Sequence, residues 1–493
     1  MTLRLEMPDN LAEARGLAVN IVAEAHREVI DRATTETVER AVLRMLGMQG
    51  ASEQGIPWPE ALVRHLGPKI AGGAARPVLT AMLKAGARSM DALVAAIVAG
   101  KADLSGDAAP ADELESLAAE LRSHADAHLK KVSEERAELR KKLRKPTRPW
   151  IYAVVGGGPI DYRVQQAQEA ARQGADVIAV LAGPDRGGAM RAGDVTVNDY
   201  RTLRAAFDAV GEELGRYVSL AVNTRGLRMP EMAAIAAWEG ADVILCDPWP
   251  GTLFHQFNSV RAFVDQYAAR RCAARGAVTV STGEDELLQA VDPVAGAGLL
   301  MGSWLLSEAM CSKAGLPAER VALSYTTAVD PELPDSLSYE LANVLAMRAA
   351  FPEHPARVMP SPRSSGHPDA DQSRQALMPL IAAVGGGGAP VMLGLPPDSP
   401  SFTQAIHQTQ FAFDAAEDLA DSLAVADEGL IAKRPIVIME ETIELLSHVE
   451  SAGLFEAVGQ GVFADMGLPR HAGKGAEGVV QKAADYWDPT SSE

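Results

Sequence analysis

Two kinds of hydrophobic spacing divide the chain. From Asn10 to Met48 the apolar residues Leu11, Ala14, Leu17, Ala18, Ile21, Val22 and Ala25 recur at three- and four-residue intervals, which predicts an amphipathic helix capped by Asp9 or Asn10. A breaker region at 50–59 separates this from further helices, and AAPAD (108–112) introduces a long charged helix that ends before Pro146. Beyond Trp150 the texture changes to short continuous apolar runs: IYAVVGG (151–157), DVIAVLA (176–182), YVSLAVN (217–223), DVILCD (242–247), AVTVST (277–282), RVALSY (320–325), ARVMPS (356–361) and PVMLGL (390–395). Apolar strands alternating with helices indicate a parallel sheet covered on both faces. A count of eight favours closure into an eight-fold β/α (TIM) barrel, whose chemistry sits at the C-terminal strand ends. The reading is therefore an α/β chain with an N-terminal helical region (1–148), a barrel (149–400), and C-terminal helices with a Gly-rich tail (401–493) that packs on the barrel or on a partner.

Composition narrows the function classes. The 493 residues are 47% hydrophobic and 23% charged, an ordinary globular balance, and no uninterrupted apolar run reaches the length of a membrane span. The opening MTLRLEMPDN lacks a basic segment leading into an apolar one, so a cytoplasmic location is expected. A formal charge of −19 argues against nucleic acid as a partner. The densest basic stretch, Lys130–Arg148, interleaves glutamates at helical spacing and reads as a solvated helix face. Cys246, Cys272 and Cys311 have no CxxC spacing, which favours buried free thiols over disulfides or a structural zinc; no metal site is expected.

Candidate chemistry gathers after the strands. Gly156, Gly157 and Gly158 follow the first run, but Pro159 and Ile160 stand where a dinucleotide fingerprint needs its helix start, so a tight turn is the better reading. Ser281, Thr282, Gly283, Glu284 and Asp285 close the fifth run: they suit substrate-facing groups at a barrel mouth and equally suit a helix N-terminus. Arg363 follows the seventh run, and His255 follows the fourth within DPWPGTLFHQFN, where prolines stiffen the backbone. No nucleophile triad, HExxH or phosphate loop is present, and the DxHxxG signature of a corrinoid-binding domain is absent.

Several blocks in order along the chain carry a family resemblance: TTETVERAVLRMLGMQG (34–50), AARQGADVIAV (170–180), VGEELGRYVSL (210–220), GLRMPEMAA (226–234), TGED (282–285), AGLPAER (314–320), EGLIAKR (428–434), GLFEAVGQGVF (453–463) and GKGAEGVV (473–480). With them the chain resembles the alpha subunits of lysine 5,6-aminomutases. The resemblance implies an adenosylcobalamin-dependent radical isomerase whose barrel pairs, as a hetero-oligomer, with a smaller cobalamin-binding beta subunit. It implies a small amino acid such as lysine, or a related polar molecule, as substrate. It also implies that Asp285, with its neighbour Glu284, and Arg363 bind that substrate, an acid and a base placed to orient ammonium and carboxylate.

The resemblance is uneven at the second cofactor. Where the family pattern has an arginine after the second strand, this chain has Ala182; an asparagine and a serine after the third become Val222 and Arg225; a tyrosine and an arginine after the fourth become Pro250 and His255. Asn223, Arg225 and His255 are the remaining cofactor-side candidates, the latter two able to donate to phosphate oxygens. Three readings stay open: an aminomutase that retains pyridoxal phosphate, a cobalamin mutase of the same fold that has abandoned it, and a non-catalytic barrel scaffold for a cobalamin-binding partner.

Overall fold

The computed structural model describes residues 5–106, 108–145, 149–156, 158–181, 196–224, 226–246, 257–282, 293–327, 329, 333–360, 376–383, 391–394, 402–420, 428–463 and 476–491. Within them a two-stranded antiparallel ribbon joins β1 (Ala33–Thr35) to β10 (Val479–Gln481), and the eight apolar runs between become β2 (Trp150–Val155), β3 (Val177–Val180), β4 (Ser219–Asn223), β5 (Val243–Cys246), β6 (Thr279–Thr282), β7 (Val321–Thr327), β8 (Ala356–Pro360) and β9 (Val391–Gly394). These eight are parallel neighbours in sequence order, and β9 returns to β2 through Trp150↔Met392, Ile151↔Leu393 and Tyr152↔Gly394, so the predicted barrel closes.

Strand alternation splits the apolar residues into two cores. Ile151, Ala153, Val155, Ile178, Leu220, Val222, Ile244, Val280, Leu323 and Val358 face outward into one large cluster with the surrounding helices. Tyr152, Val177, Ala179, Ala221, Val243, Leu245, Ala322, Met359 and Met392 form a separate cluster inside the barrel. The three cysteines are buried and free, as their spacing predicts.

A short repeat pins the N-terminal end of the barrel. Gly174-Ala175-Asp176 and Gly240-Ala241-Asp242 each precede a strand, and each carboxylate accepts the backbone N–H of the strand before it: Ile151 N to Asp176 at 2.9 Å and Leu220 N to Asp242 at 2.8 Å. Burial pushes both acids up. At Asp242 the guanidiniums of Arg204 (2.7 Å) and Arg140, with the Tyr217 hydroxyl (2.6 Å), outweigh burial and hold the carboxyl below its ordinary value. At Asp176 burial outweighs Arg216 and the Ile151 N–H, and the carboxyl stays above its ordinary value.

The N-terminal region departs from its local spacing. The expected helix runs only over Leu11–Ala25, Asn10 caps it without a side-chain bond, and a π-helical turn (His26–Ile30) and β1 intervene before the helix Glu36–Met45, which Thr35 caps through Val38 N at 3.1 Å. The interruption is set by β10, more than 440 residues away in sequence, so no local period can foretell it. The long helix Ala111–Lys142 forms as expected. Lys130 and Lys131 meet only Glu134 and Glu135, 3.9 Å away in solvent, whereas Arg136 and Arg140 bolt the other face to Asp208 and Asp242 of the barrel.

The tail meets two parts of the chain. Residues 476–491 lie on the N-terminal helices as much as on the barrel: Trp487 packs against the core of Leu43, Leu79, Met82 and Leu117, and Tyr486 donates to Glu39 at 2.9 Å, while Arg271 of a barrel helix donates to the Thr490 carbonyl at 3.0 Å. Gly73, with φ +89°, makes this seat possible, because a Cβ there would collide with the Trp487 carbonyl.

Two buried carboxylates join these layers. Burial pushes Glu231 up, but Arg44 (2.7 Å) and Arg40 (3.8 Å) outweigh it and keep the group ionised. The pair ties the helix Glu36–Met45 to the barrel helix Met229–Trp238. Replacing Arg44 by Met strands a buried charge and is expected to cost about 3–5 kcal/mol, read as a lower urea midpoint; a loss under about 1 kcal/mol would show that this pair is not the joint. Glu39 behaves oppositely: burial raises it to about 7 despite donors from Thr34, Ala74 and Tyr486. Its proton is held more tightly in the folded chain than in the unfolded one, so its stabilisation is complete below its ordinary value of 4.5 and is lost as pH rises through about 7. The loss is on the order of 3 kcal/mol. Melting temperature is expected to decline across that window, with Glu39→Gln flattening the decline; an equally steep slope in the variant would rule Glu39 out as its source.

Candidate functional site

The strand alternation that fills the barrel with Val and Ala also turns a set of polar side chains inward. Asn223 is the last residue of β4 and pairs with inward Leu245; Ser281 pairs with Leu245 and Ala322; Thr326 pairs with Met359; Ser324 pairs with Arg357. Neighbours in register share a face, so the four polar residues and Arg357 all belong to the lumen side. All the strands being parallel, Asn223, Ser281, Thr326 and Met359 lie at the end of the barrel from which its β-to-α connections leave.

Deeper in the lumen stands a buried cation. Arg357, 2% exposed, is the second residue of β8, about 10 Å below the strand's end along its length. Its Nε donates to Ser324 Oγ at 2.8 Å and its guanidinium lies 5.3 Å from the Tyr152 ring centroid, a geometry in which the ring face offsets part of the desolvation of the charge. Nearer the mouth, the Ser281 hydroxyl is buried and has no hydrogen-bond partner among the described residues. An unmet hydroxyl costs roughly 1–3 kcal/mol, and on the lumen face it is available to a bound molecule. The lumen thus combines apolar walls that exclude water with a few polar groups that can orient a small polar guest.

Of the residues proposed from sequence, Asn223 is the last residue of β4 and faces inward. Glu284 and Asp285 follow β6, Arg363 follows β8, Arg225 follows β4 and His255 follows β5; all five lie outside the described residues, as do Ala182 and Pro250. Arg357, Ser324, Thr326 and Tyr152 were missed by sequence reasoning. The available signal was positional: Ser324 and Thr326 alternate with apolar residues in VALSYTT, and Arg357 interrupts an otherwise apolar strand. Gly156 and Gly158 precede the helix Ile160–Gln173, whose N-cap is Pro159. Among the described residues no helix is long and apolar enough to cross a membrane.

The comparisons with known proteins agree along the length of the chain. The family described as the D-lysine 5,6-aminomutase TIM-barrel domain of alpha subunit matches residues 3–492. The chain is similar to the lysine 5,6-aminomutase alpha subunit of Acetoanaerobium sticklandii, 31% identical over 99% of this chain and 97% of that one. It is 30% identical to the lysine 5,6-aminomutase alpha subunit of Fusobacterium nucleatum subsp. nucleatum, over 97% of this chain and 96% of the relative. A more distant likeness, 23% identity, extends to the D-ornithine 4,5-aminomutase subunit beta of A. sticklandii, covering 70% of this chain and 50% of that protein.

The orphaned hydroxyl gives a sharp expectation. Ser281→Ala removes an unmet polar atom, so stability should hold or rise by up to about 1 kcal/mol while affinity for the lumen's guest falls about 5-fold. A variant that loses stability and keeps its affinity would mean that Ser281 serves packing alone.

Proposed function

The chain belongs to the family of D-lysine 5,6-aminomutase alpha-subunit TIM-barrel domains, and from that premise we propose that it is the large subunit of a cytoplasmic, heteromeric, adenosylcobalamin-dependent isomerase that shifts an amino group on lysine or a related small amino acid. Aminomutases are isomerases, and a match over residues 3–492 is the observation that carries the reading. An alpha subunit implies a partner; the proposal makes that partner a smaller, corrinoid-binding chain. When bound, adenosylcobalamin supplies the carbon-centred radical that starts hydrogen abstraction, and pyridoxal phosphate supplies conjugation for a migrating nitrogen.

The chain's own residues have the remaining tasks. The closed wall of Val177, Ala179, Ala221, Val243 and Leu245 excludes water and stray hydrogen donors. In this reading Asp285, assisted by Glu284, receives the substrate ammonium, and Arg363 receives its carboxylate in a bidentate clamp. Ser281 offers a hydroxyl to whatever occupies the lumen. Asn223 at the β4 tip fits a hydrogen-bonding role toward a cofactor, with Arg225 and His255 supplying donors for a phosphate. Ala182 and Pro250, which stand where the family pattern carries an arginine and a tyrosine, favour the second reading, a mutase of this family that works without pyridoxal phosphate.

Asp285→Ala is expected to lower turnover of lysine by at least about 100-fold in the complex with the cobalamin-binding partner, with little change in assembly. An unchanged rate would remove Asp285 from the site; absence of turnover by the native complex on any small amino acid would favour the scaffold reading. Adding pyridoxal phosphate to the same complex separates the two enzymatic readings, since a cofactor absorbance that shifts on addition of lysine is expected only where that cofactor is in use.

A further inference from the structure

A cavity of about 280 Å³ opens on the outside of the seam where the barrel closes, toward the end opposite the β-to-α connections. Ile151 of β2 and Leu393 of β9 are partners in register across that seam, and with Phe413 of the helix Phe402–Ala420 they give the cavity an apolar wall. Gly174, with φ +122°, follows the helix Ile160–Gln173 here. A Cβ on it would lie 3.2 Å from both Gln410 and Ile406, so the close approach of the two helices beside the cavity requires glycine.

The rim is charged. Arg144 follows the long helix Ala111–Lys142 and is fixed through its backbone, its N–H donating to the Gly215 carbonyl at 3.2 Å and its carbonyl accepting from Tyr217 N at 3.3 Å. Arg144 and Lys145 are exposed, and neither side chain pairs with a carboxylate among the described residues. Arg216 is the third cation on the lining, committed to the Ala171 and Ala175 carbonyls at 2.8 and 2.9 Å and to Asp176. Asp414 is the second carboxylate. Three cations thus meet two carboxylates around one cavity, in a chain whose net charge is −19. A local excess of positive charge on that background concentrates anions at this place.

We propose that this cavity binds a small organic anion, a carboxylate or phosphate carried on a short apolar body, at a site separate from the barrel mouth. Arg144 and Lys145 receive the charge, the guanidinium through a bidentate pair, while Phe413, Ile151 and Leu393 cover the body. At about 30 Å³ per water the space holds roughly nine waters, which sets the ligand at on the order of ten non-hydrogen atoms. A ligand that touches β2 and β9 together finds its site only in the closed barrel, so it stabilises the folded chain by mass action.

The test is calorimetric titration of the chain with benzoate, phenyl phosphate, benzyl alcohol and inorganic phosphate. At least one of the two aryl anions is expected to bind with Kd on the order of 1 mM and, at about 10 mM, to raise the melting temperature by about 2 °C. The tighter of the two identifies the head group. Arg144→Gln combined with Lys145→Gln should weaken that binding about 10-fold, whereas the same loss of charge through Lys130→Gln and Lys131→Gln should change it less than about 2-fold. All four side chains are exposed, so the fold is not at stake in either variant. Failure of both aryl anions to bind at about 20 mM would overturn the site, as would binding that survives the Arg144 and Lys145 changes or falls equally with the Lys130 and Lys131 changes. Benzyl alcohol binding as tightly as benzoate would refute the anionic class, and inorganic phosphate matching phenyl phosphate would refute the apolar body.

Discussion

Closure of the barrel is the constraint on which the rest depends. Eight parallel strands leave no edge once Trp150–Tyr152 pairs with Met392–Gly394, so each strand's backbone finds a strand on either side and every strand end points the same way. That single event creates an inside, where Val, Ala and Met exclude water, and brings together at one end the connections after β4, β5, β6 and β8 that sequence reasoning had marked separately. The opposite end is held by the Asp176 and Asp242 carboxylates, each bridging two strands and an arginine, which is the division of labour expected of such barrels: stability below, chemistry above.

Around the barrel the chain builds a second unit from its two extremes. The helices from Glu36 to Lys142 form their own core, and the tail supplies Val480 and Trp487 to it. The attachment to the barrel runs through buried charge. The Arg44–Glu231 pair costs desolvation on both sides and returns it only because the geometry is close, so it specifies one docking arrangement more than it adds stability. Glu39 sits among hydroxyl and backbone donors and still titrates near neutrality, because burial outweighs three hydrogen bonds. The tail's seat therefore carries a proton that the unfolded chain would release.

The lumen is chemically sparse, and that suits a reaction in which cofactors perform the difficult bond changes. A protein that shelters a radical has to withhold reactive hydrogens and water while supplying orientation. Apolar walls, one buried guanidinium on the floor and a few hydroxyls toward the mouth meet that description.

By itself the sequence determined the eight strands, to within a few residues at each end, the long helix Ala111–Lys142, the burial of three free cysteines and the family, because each rests on local period or on residue identity in order along the chain. It also nominated Asp285, Arg363, Glu284, Asn223, Arg225 and His255, from positions after the strands and from the family resemblance. Only the tertiary structure decided that Arg357 stands inside the barrel beside Tyr152, that the Ser281 hydroxyl is buried without a partner among the described residues, that β1 interrupts the first helical stretch, and that Arg434 reaches Pro293. The reason is one of range. Amphipathic spacing records which face of an element is apolar, whereas these four depend on contacts between residues far apart in the chain, and such contacts come into being when the strands close and the two ends of the polypeptide meet.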